Sequence, residues 1–415
     1  MPSGPLRSLL SERPPAREGG GRAQKRCCAV DGPSLHRAAI RLVAAATAVT
    51  GAVNLLTPLV TSIVSPSDIE FFEISGVHFM AVASSTLEGD GRVSGENSPI
   101  YSLVGSSWVG VQNFQTMGAQ DWEHFEIDGE HYLAVANRGD EFQSEVDSTI
   151  YHWNGSAFAI AQHIATFGAQ DWEHFEIDGE HYLAIANCRI GTSLDGASVI
   201  YRWNGAFFAE FQRIQTDGAQ DWEHLEINGE HYLAVANRGV GVNSAIHHWN
   251  GTSFAEFQRI QTSGAQDWEH FEIDGEHYLA VASCRFGSSV DSASVIYHWN
   301  GTSFTEFQRI QTNAAQDWKH FAIDGKHYLA VANLGDGSES QVESTIHRWN
   351  GTFFAEFQRI QTNPARDWEH FDIDGEHFLA VATGPVFGTS TEMESQIYRW
   401  EGTSFAQSTA SIFWL

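Results

Sequence analysis

The chain has 415 residues, 42% hydrophobic and 12% aromatic, and carries a formal charge of −29. That composition can fill a core, which excludes general disorder. So acidic a chain is repelled by phosphate backbones, which argues against nucleic acid as a partner and for cations or a basic protein surface.

Residues 1–41 depart from this balance. They hold eight Lys or Arg and three acids, a net of +5, while the other 374 residues hold 15 bases and 49 acids. They read as a basic, disordered leader. Next comes LVAAATAVTGAVNLLTPLVTSIV, Leu42–Val64, 23 residues without a charge. Its reading stays open between three forms. A signal peptide would centre on Leu42–Val53, with small residues at Thr50 and Ala52 suited to cleavage. An uncleaved anchor needs about 20 apolar residues, and would be the chain's contact with a membrane. Alternatively, Thr57–Val64 is a strand of the first repeat. Export is the expectation, as a secreted or membrane-anchored extracellular protein; an organelle transit peptide and a cytoplasmic protein are the alternatives.

From residue 65 to 412 the chain repeats itself. DWEHFEIDGEHYLAVAN, Asp121–Asn137, returns with few changes at Asp171, Asp221, Asp267, Asp317 and Asp367, and a worn copy, DIEFFEISGVHFMAVA, opens at Asp68. A second phrase, IYHWNG at Ile150, follows in each unit, then a third, FAEFQRIQT, as at Phe208. The seven units differ in length at one place. From Asn137 to Ile150 is 13 residues, from Asn237 to Ile246 is 9, and from Ser84 to Ile100 is 16. Insertions confined to one loop leave a fixed scaffold around it.

The first phrase has Asp-Gly at its centre, a signal for a two-residue hairpin because both turn positions want φ > 0. Folding there pairs Phe125 with Tyr132, Glu126 with His131 and Ile127 with Glu130. Asn154-Gly155 is read as the same turn in a second hairpin. Each unit is then four antiparallel strands, and seven such sheets predict an all-β, seven-bladed propeller. A linear β-solenoid is the alternative, but it wants capping ends. The phrase recurs because each copy packs against the next, with Phe125, Ile127, Tyr132, Leu133 and Val135 in the core.

These phrases resemble the epilepsy-associated repeat (EAR, also called EPTP), the propeller repeat of the leucine-rich glioma-inactivated and thrombospondin-type laminin G/EAR repeat proteins. The resemblance covers Asp68 to Phe405. It implies a seven-bladed propeller for extracellular protein–protein recognition or adhesion, without catalysis, but transfers no partner.

The resemblance also implies a channel metal held by acids at the start of each unit. Asp121, Asp171, Asp221, Asp267, Asp317 and Asp367 open the strand that enters each blade, so they can face the channel. Converging carboxylates repel one another unless a cation or hydrogen bonds intervene. Calcium, with six to eight oxygen ligands, suits such a set. The competing reading is that each Asp caps its own loop. His124 and His131 and their copies are read as structural cross-strand pairs, because zinc needs three or four converging ligands. Cys188 and Cys284 hold matching places in separate repeats, too far apart for a disulfide.

The variable loops hold weaker signals. Arg138-Gly139-Asp140 matches an adhesion tripeptide, and three residues match by chance. Leu87–Glu96 is acidic and glycine-rich without the ligand pattern of an EF-hand. Asn154, Asn250, Asn300 and Asn350 head glycosylation sequons, conditional on export.

An active site needs dissimilar groups at one unique place, and near-identical blades offer the same groups everywhere. The expectation is a non-catalytic interaction module. The alternatives are a glycosidase built from two channel carboxylates and a structural surface or matrix protein.

Overall fold

The computed structural model describes residues 66–85, 96–139, 145–188, 197–239, 242–284, 293–335, 342–384, 395–408 and 411–414. The basic leader, the apolar run and the expectations attached to them lie outside these residues. Seven blades of four antiparallel strands follow one another, the first extended by a fifth, parallel strand, Ser411–Trp414: blades 1 to 7 cover 66–116, 119–167, 169–214, 219–261, 265–311, 315–361 and 365–407. In blade 2 the strands, from channel to rim, are Ala119–Ile127, Glu130–Asn137, Glu145–Trp153 and Phe158–Phe167.

The Asp-Gly turns form as expected. Asp128 and Gly129 have φ of 53° and 80°, and the register pairs Phe125 with Tyr132, Glu126 with His131 and Ile127 with Glu130. The Asn-Gly turns differ from the expectation. Their strands close at Trp153 and Phe158, which leaves a four-residue loop. Asn154 Oδ1 accepts from the backbone N–H groups of Ser156 and Ala157, both at 3.1 Å. The asparagine side chain builds this turn; Gly155 alone is left-handed, at φ 93°.

The core lies between blades. One cluster joins Phe125, Ile127, Ala134 and Ile150 of blade 2 to Trp172, Leu183, Ile185 and Phe208 of blade 3. Leu133–Ala136 is buried on both faces, as a sheet sandwiched between two others requires. Of the expected core residues, Phe125, Ile127, Leu133 and Val135 are buried. Tyr132 is half-buried, with its ring 5.6 Å from Trp203 of the next blade. Trp122, Trp172, Trp222, Trp268, Trp318 and Trp368 fill equivalent seams, and Ile69 stands in that place in blade 1.

At the rim, a glutamine amide bridges each seam. Gln212 Nε2 donates to the Phe254 carbonyl at 2.7 Å, and Phe254 N donates to Gln212 Oε1 at 2.9 Å. The same two-way bond joins Gln112 to Phe158, Gln162 to Phe208, Gln258 to Phe304, Gln308 to Phe354 and Gln358 to Phe405. The remaining seam joins blade 7 to blade 1. There Ser411–Trp414 runs parallel to Ser107–Gly110 and sets Ile412 opposite Trp108, the blade 1 counterpart of those phenylalanines. Inside the ring, Ile69 N donates to Asp367 Oδ2 at 3.1 Å, and Ile69, Met80 and Trp108 pack with Phe371 and Ala380. The row therefore closes on itself, which removes the solenoid.

Replacing Gln212 with Leu keeps the bulk and leaves two part-buried backbone groups of Phe254 without their partner. The expected cost is about 1–3 kcal/mol, read as a lower urea midpoint; an unchanged midpoint would show that the amide bridge is not structural.

Candidate functional site at the central channel

Seven inner strands surround a central cavity of about 160 Å³. The repeated sequence decides what they show it. A bulge at Gln120 sets Ala119 opposite Asn137 but Asp121 opposite Ala136. Beyond it, Asp121 and Glu123 face the channel while Trp122 turns into the seam. The channel brings together all six aspartates expected there, Asp121, Asp171, Asp221, Asp267, Asp317 and Asp367, with Asp68 of the worn repeat as the seventh. It also brings Glu70, Glu123, Glu173, Glu223, Glu269 and Glu369, with Lys319 in the blade 6 place. Sequence reading missed this second tier; the period-2 spacing Asp-x-Glu carried the signal.

The aspartates cap neither their own loops nor a bare wall. Each reaches the next blade. Trp122 N donates to Asp68 Oδ2, Trp172 N to Asp121, Trp222 N to Asp171, Trp268 N to Asp221, Trp318 N to Asp267 and Trp368 N to Asp317, all at 2.9 Å. With Ile69 N on Asp367 the circle is complete. Five glutamates repeat the device one step along. Glu70, Glu123, Glu173, Glu223 and Glu269 accept from the N–H groups of His124, His174, His224, His270 and His320 at 2.6–3.2 Å.

So many half-buried carboxylates crowded into one channel cannot all stay ionised. Burial, with repulsion from neighbouring acids added at most positions, pushes Asp171, Asp367 and Glu269 up to about 7 and Glu123 up to about 8. Asp68, Asp121, Glu173 and Asp221 are raised well above the carboxylate range for the same reasons. The donors are hard oxygens of the kind calcium takes. Each Asp, however, already commits one oxygen to a backbone bond, and among the described residues no three acids converge into a coordination sphere.

The histidines follow the inner strands. His124 stacks on Phe72 at 4.4 Å, and its Nε2 lies 3.3 Å from His131 Nδ1. Burial, then the partner imidazole, lowers His124, His174, His224 and His320 to about 3. These rings are neutral packing groups, in line with the cross-strand reading. Cys188 and Cys284 are buried, and their backbone N–H groups bond equivalent carbonyls, of Gly168 and Gly264.

The two faces of the ring differ. The variable loops leave on the face of the blade connectors, where Arg138 N bonds the Gly118 carbonyl and Gly139 N that of Met117. Those two residues of the adhesion-like tripeptide are pinned by their backbones; Asp140 and the acidic loop 87–95 lie outside the described residues. The opposite face carries the Asp-Gly and Asn-Gly turns. Asn154, Asn250, Asn300 and Asn350 stand there, exposed. Their Oδ1 atoms hold the turns through backbone bonds, and Nδ2 of Asn250 and of Asn300 donates to Ser253 and Ser303 Oγ. Phe207 and Phe353, 52% and 48% exposed, project from the Asn204 and Asn350 turns of this face.

The model of the EPTP domain matches this chain six times, at residues 109–154, 157–204, 208–250, 253–300, 303–350 and 354–401. No curated protein sequence matches it. Among solved structures, a candidate 6-phosphogluconolactonase from Bacteroides fragilis is similar with a TM-score of 0.56 at 12% identity, over 81% of this chain and 94% of that one. A second, from Bacteroides uniformis, gives 0.53 at 12% identity over 73% and 87%. Sqt1 of Saccharomyces cerevisiae gives 0.51 at 10% identity over 83% and 95%. At such identities these likenesses show the fold alone.

The raised carboxylates give a pH prediction with a defined sign. Their folded values exceed the unfolded ones, so the stability they contribute is full below about 4 and lost as pH rises through 7–8. The lowered imidazoles act only below their unfolded value near 6.5. In chelator, the melting temperature is expected to fall between pH 6.5 and 9; a flat or rising profile would contradict the crowded carboxylate tiers.

Proposed function

Because the chain belongs to the EPTP domain family, we propose that it is a non-catalytic binding propeller that recognises a protein partner through its loop-bearing face. One observation carries this reading. Six of the seven blades repeat their turns, seams and channel side chains almost word for word, while length and sequence vary in one loop per blade, between Ser84 and Glu96, Asn137 and Glu145, and their counterparts. Those loops all leave the same face. A scaffold that keeps everything constant except one set of adjacent loops is built to present them.

The channel supports binding over catalysis. Its cavity of about 160 Å³ is smaller than the roughly 300–1,000 Å³ typical of ligand clefts. A glycosidase needs two carboxylates free to act as acid and as nucleophile or base; twelve of the channel acids here are committed to backbone bonds. Calcium, if taken up at Asp121 and its copies, would act on the ring and not on the partner.

An extracellular setting is part of the proposal. It is supported by the family and by four sequons with exposed asparagines on one face. Sugars there would cover the turn face and leave the loop face open. The acidic body favours a partner with a basic contact surface, since complementary charge speeds encounter.

The test is affinity capture with a panel of loop replacements. Residues 85–95, 189–196, 285–292 and 385–394 are each exchanged for the short loop of blade 4, residues 238–242. Partner capture is expected to fall at least tenfold for one or more exchanges and to be unchanged by Phe207→Ser with Phe353→Ser. Capture that survives every exchange would overturn the reading.

A further inference from the structure

Lys319 breaks the symmetry of the channel. It stands where Glu70, Glu123, Glu173, Glu223, Glu269 and Glu369 stand in the other blades. Its Nζ lies 2.6 Å from Glu369 Oε2, and Glu369 is almost wholly buried. The consequence shows in the hydrogen bonds. Five glutamates reach forward to a backbone N–H of the next blade. Among the described residues, Glu369 makes no such bond and reaches back to Lys319 instead. A lysine cannot accept, so the seam between blades 6 and 7 loses its glutamate bond and gains an ion pair in its place.

The ammonium also acts beyond its partner. It lines the same channel as Glu269, Asp317, Asp68, Glu70, Glu123 and Glu223. It is a single positive charge among seven aspartates and six glutamates. A cation inside a carboxylate ring offsets repulsion whether it is bound or tethered. A tethered one needs no uptake from solution.

We propose that Lys319 is a built-in counter-ion, holding between blades 5 and 7 the place that an exchangeable metal cation would otherwise take in the carboxylate ring. The two blades it joins, 6 and 7, lie next to the closing seam. There Ser411–Trp414 replaces the glutamine bridge and the single Asp367 bond replaces the usual pair of carboxylate bonds. The charge is therefore anchored where the ring has fewest side-chain bonds of its own. This inference concerns how the ring holds together and stands apart from the binding proposal.

The test is thermal melting of the full chain and of K319E, K319M and K319R, at pH 8, in chelator and in millimolar calcium chloride. K319E restores the glutamate of the other blades. Wild type and K319R are expected to melt within about 1 °C of each other and to shift little between chelator and calcium. K319E is expected to melt several degrees lower in chelator and to regain most of that loss in calcium. K319M, neutral and of similar length, is expected to fall between them. If wild type loses as much as K319E on chelation, the ring depends on bound metal despite the lysine, and the proposal fails. It fails equally if K319E and K319M are destabilised alike with no response to calcium, because the lysine would then act by packing. Should K319E not fold in chelator, refolding it with and without calcium reads the same difference; recovery in both or in neither overturns the proposal.

Discussion

Every blade of this ring but the first, whose rim strand pairs with Ser411–Trp414, is a sheet with two open edges, and the account rests on how the neighbouring blade closes them. An open edge presents unpaired N–H and C=O groups, and unpaired backbone in a part-buried place is costly. At the channel, the N–H of Trp172 is taken by Asp121 of the blade before it. At the rim, the N–H and C=O of Phe208 are taken by Gln162 of the same preceding blade. Both bonds run the same way round the circle. Each blade therefore completes the next one, and the tryptophan-lined core between them is held at both ends.

This explains why the carboxylates tolerate their crowding. A channel wall of acids would be a poor design if repulsion were all they did. Here each aspartate is a backbone acceptor first, and its place in the channel favours the protonated form. The direction of the pKa shifts follows from burial before any neighbour is counted. The channel is better understood as a fastening than as a cleft.

Much of this was legible in the sequence, for physical reasons. Asp-Gly between aromatic strands admits little but a left-handed hairpin, and its register followed. Seven copies of a sheet that cannot cover its own faces implied a closed ring. The placing of Asp121 and its copies at the channel also followed from chain direction. Other features were hidden. Asn154-Gly155 reads like Asp128-Gly129, yet its asparagine turns the chain through its side chain, and only the distance to Phe158 distinguishes the two. The role of Asp121 depends on an N–H some 50 residues away, which no local pattern shows. Glu123 follows Asp121 at the strand period, a signal left unread, while nothing local marks Lys319 as a channel charge. The rim bridge of Gln212 was in plain view within FAEFQRIQT, but its partner lies in the next repeat.

Native-state hydrogen exchange tests the mutual closing of edges most directly. The inner-strand amides of Ile69, Trp122, Trp172, Trp222, Trp268, Trp318 and Trp368 are predicted to exchange only through global opening, with similar protection at all seven, the closing seam included. Protection confined to a few blades, or rapid exchange at these channel-facing amides while the rest of each sheet stays protected, would contradict it.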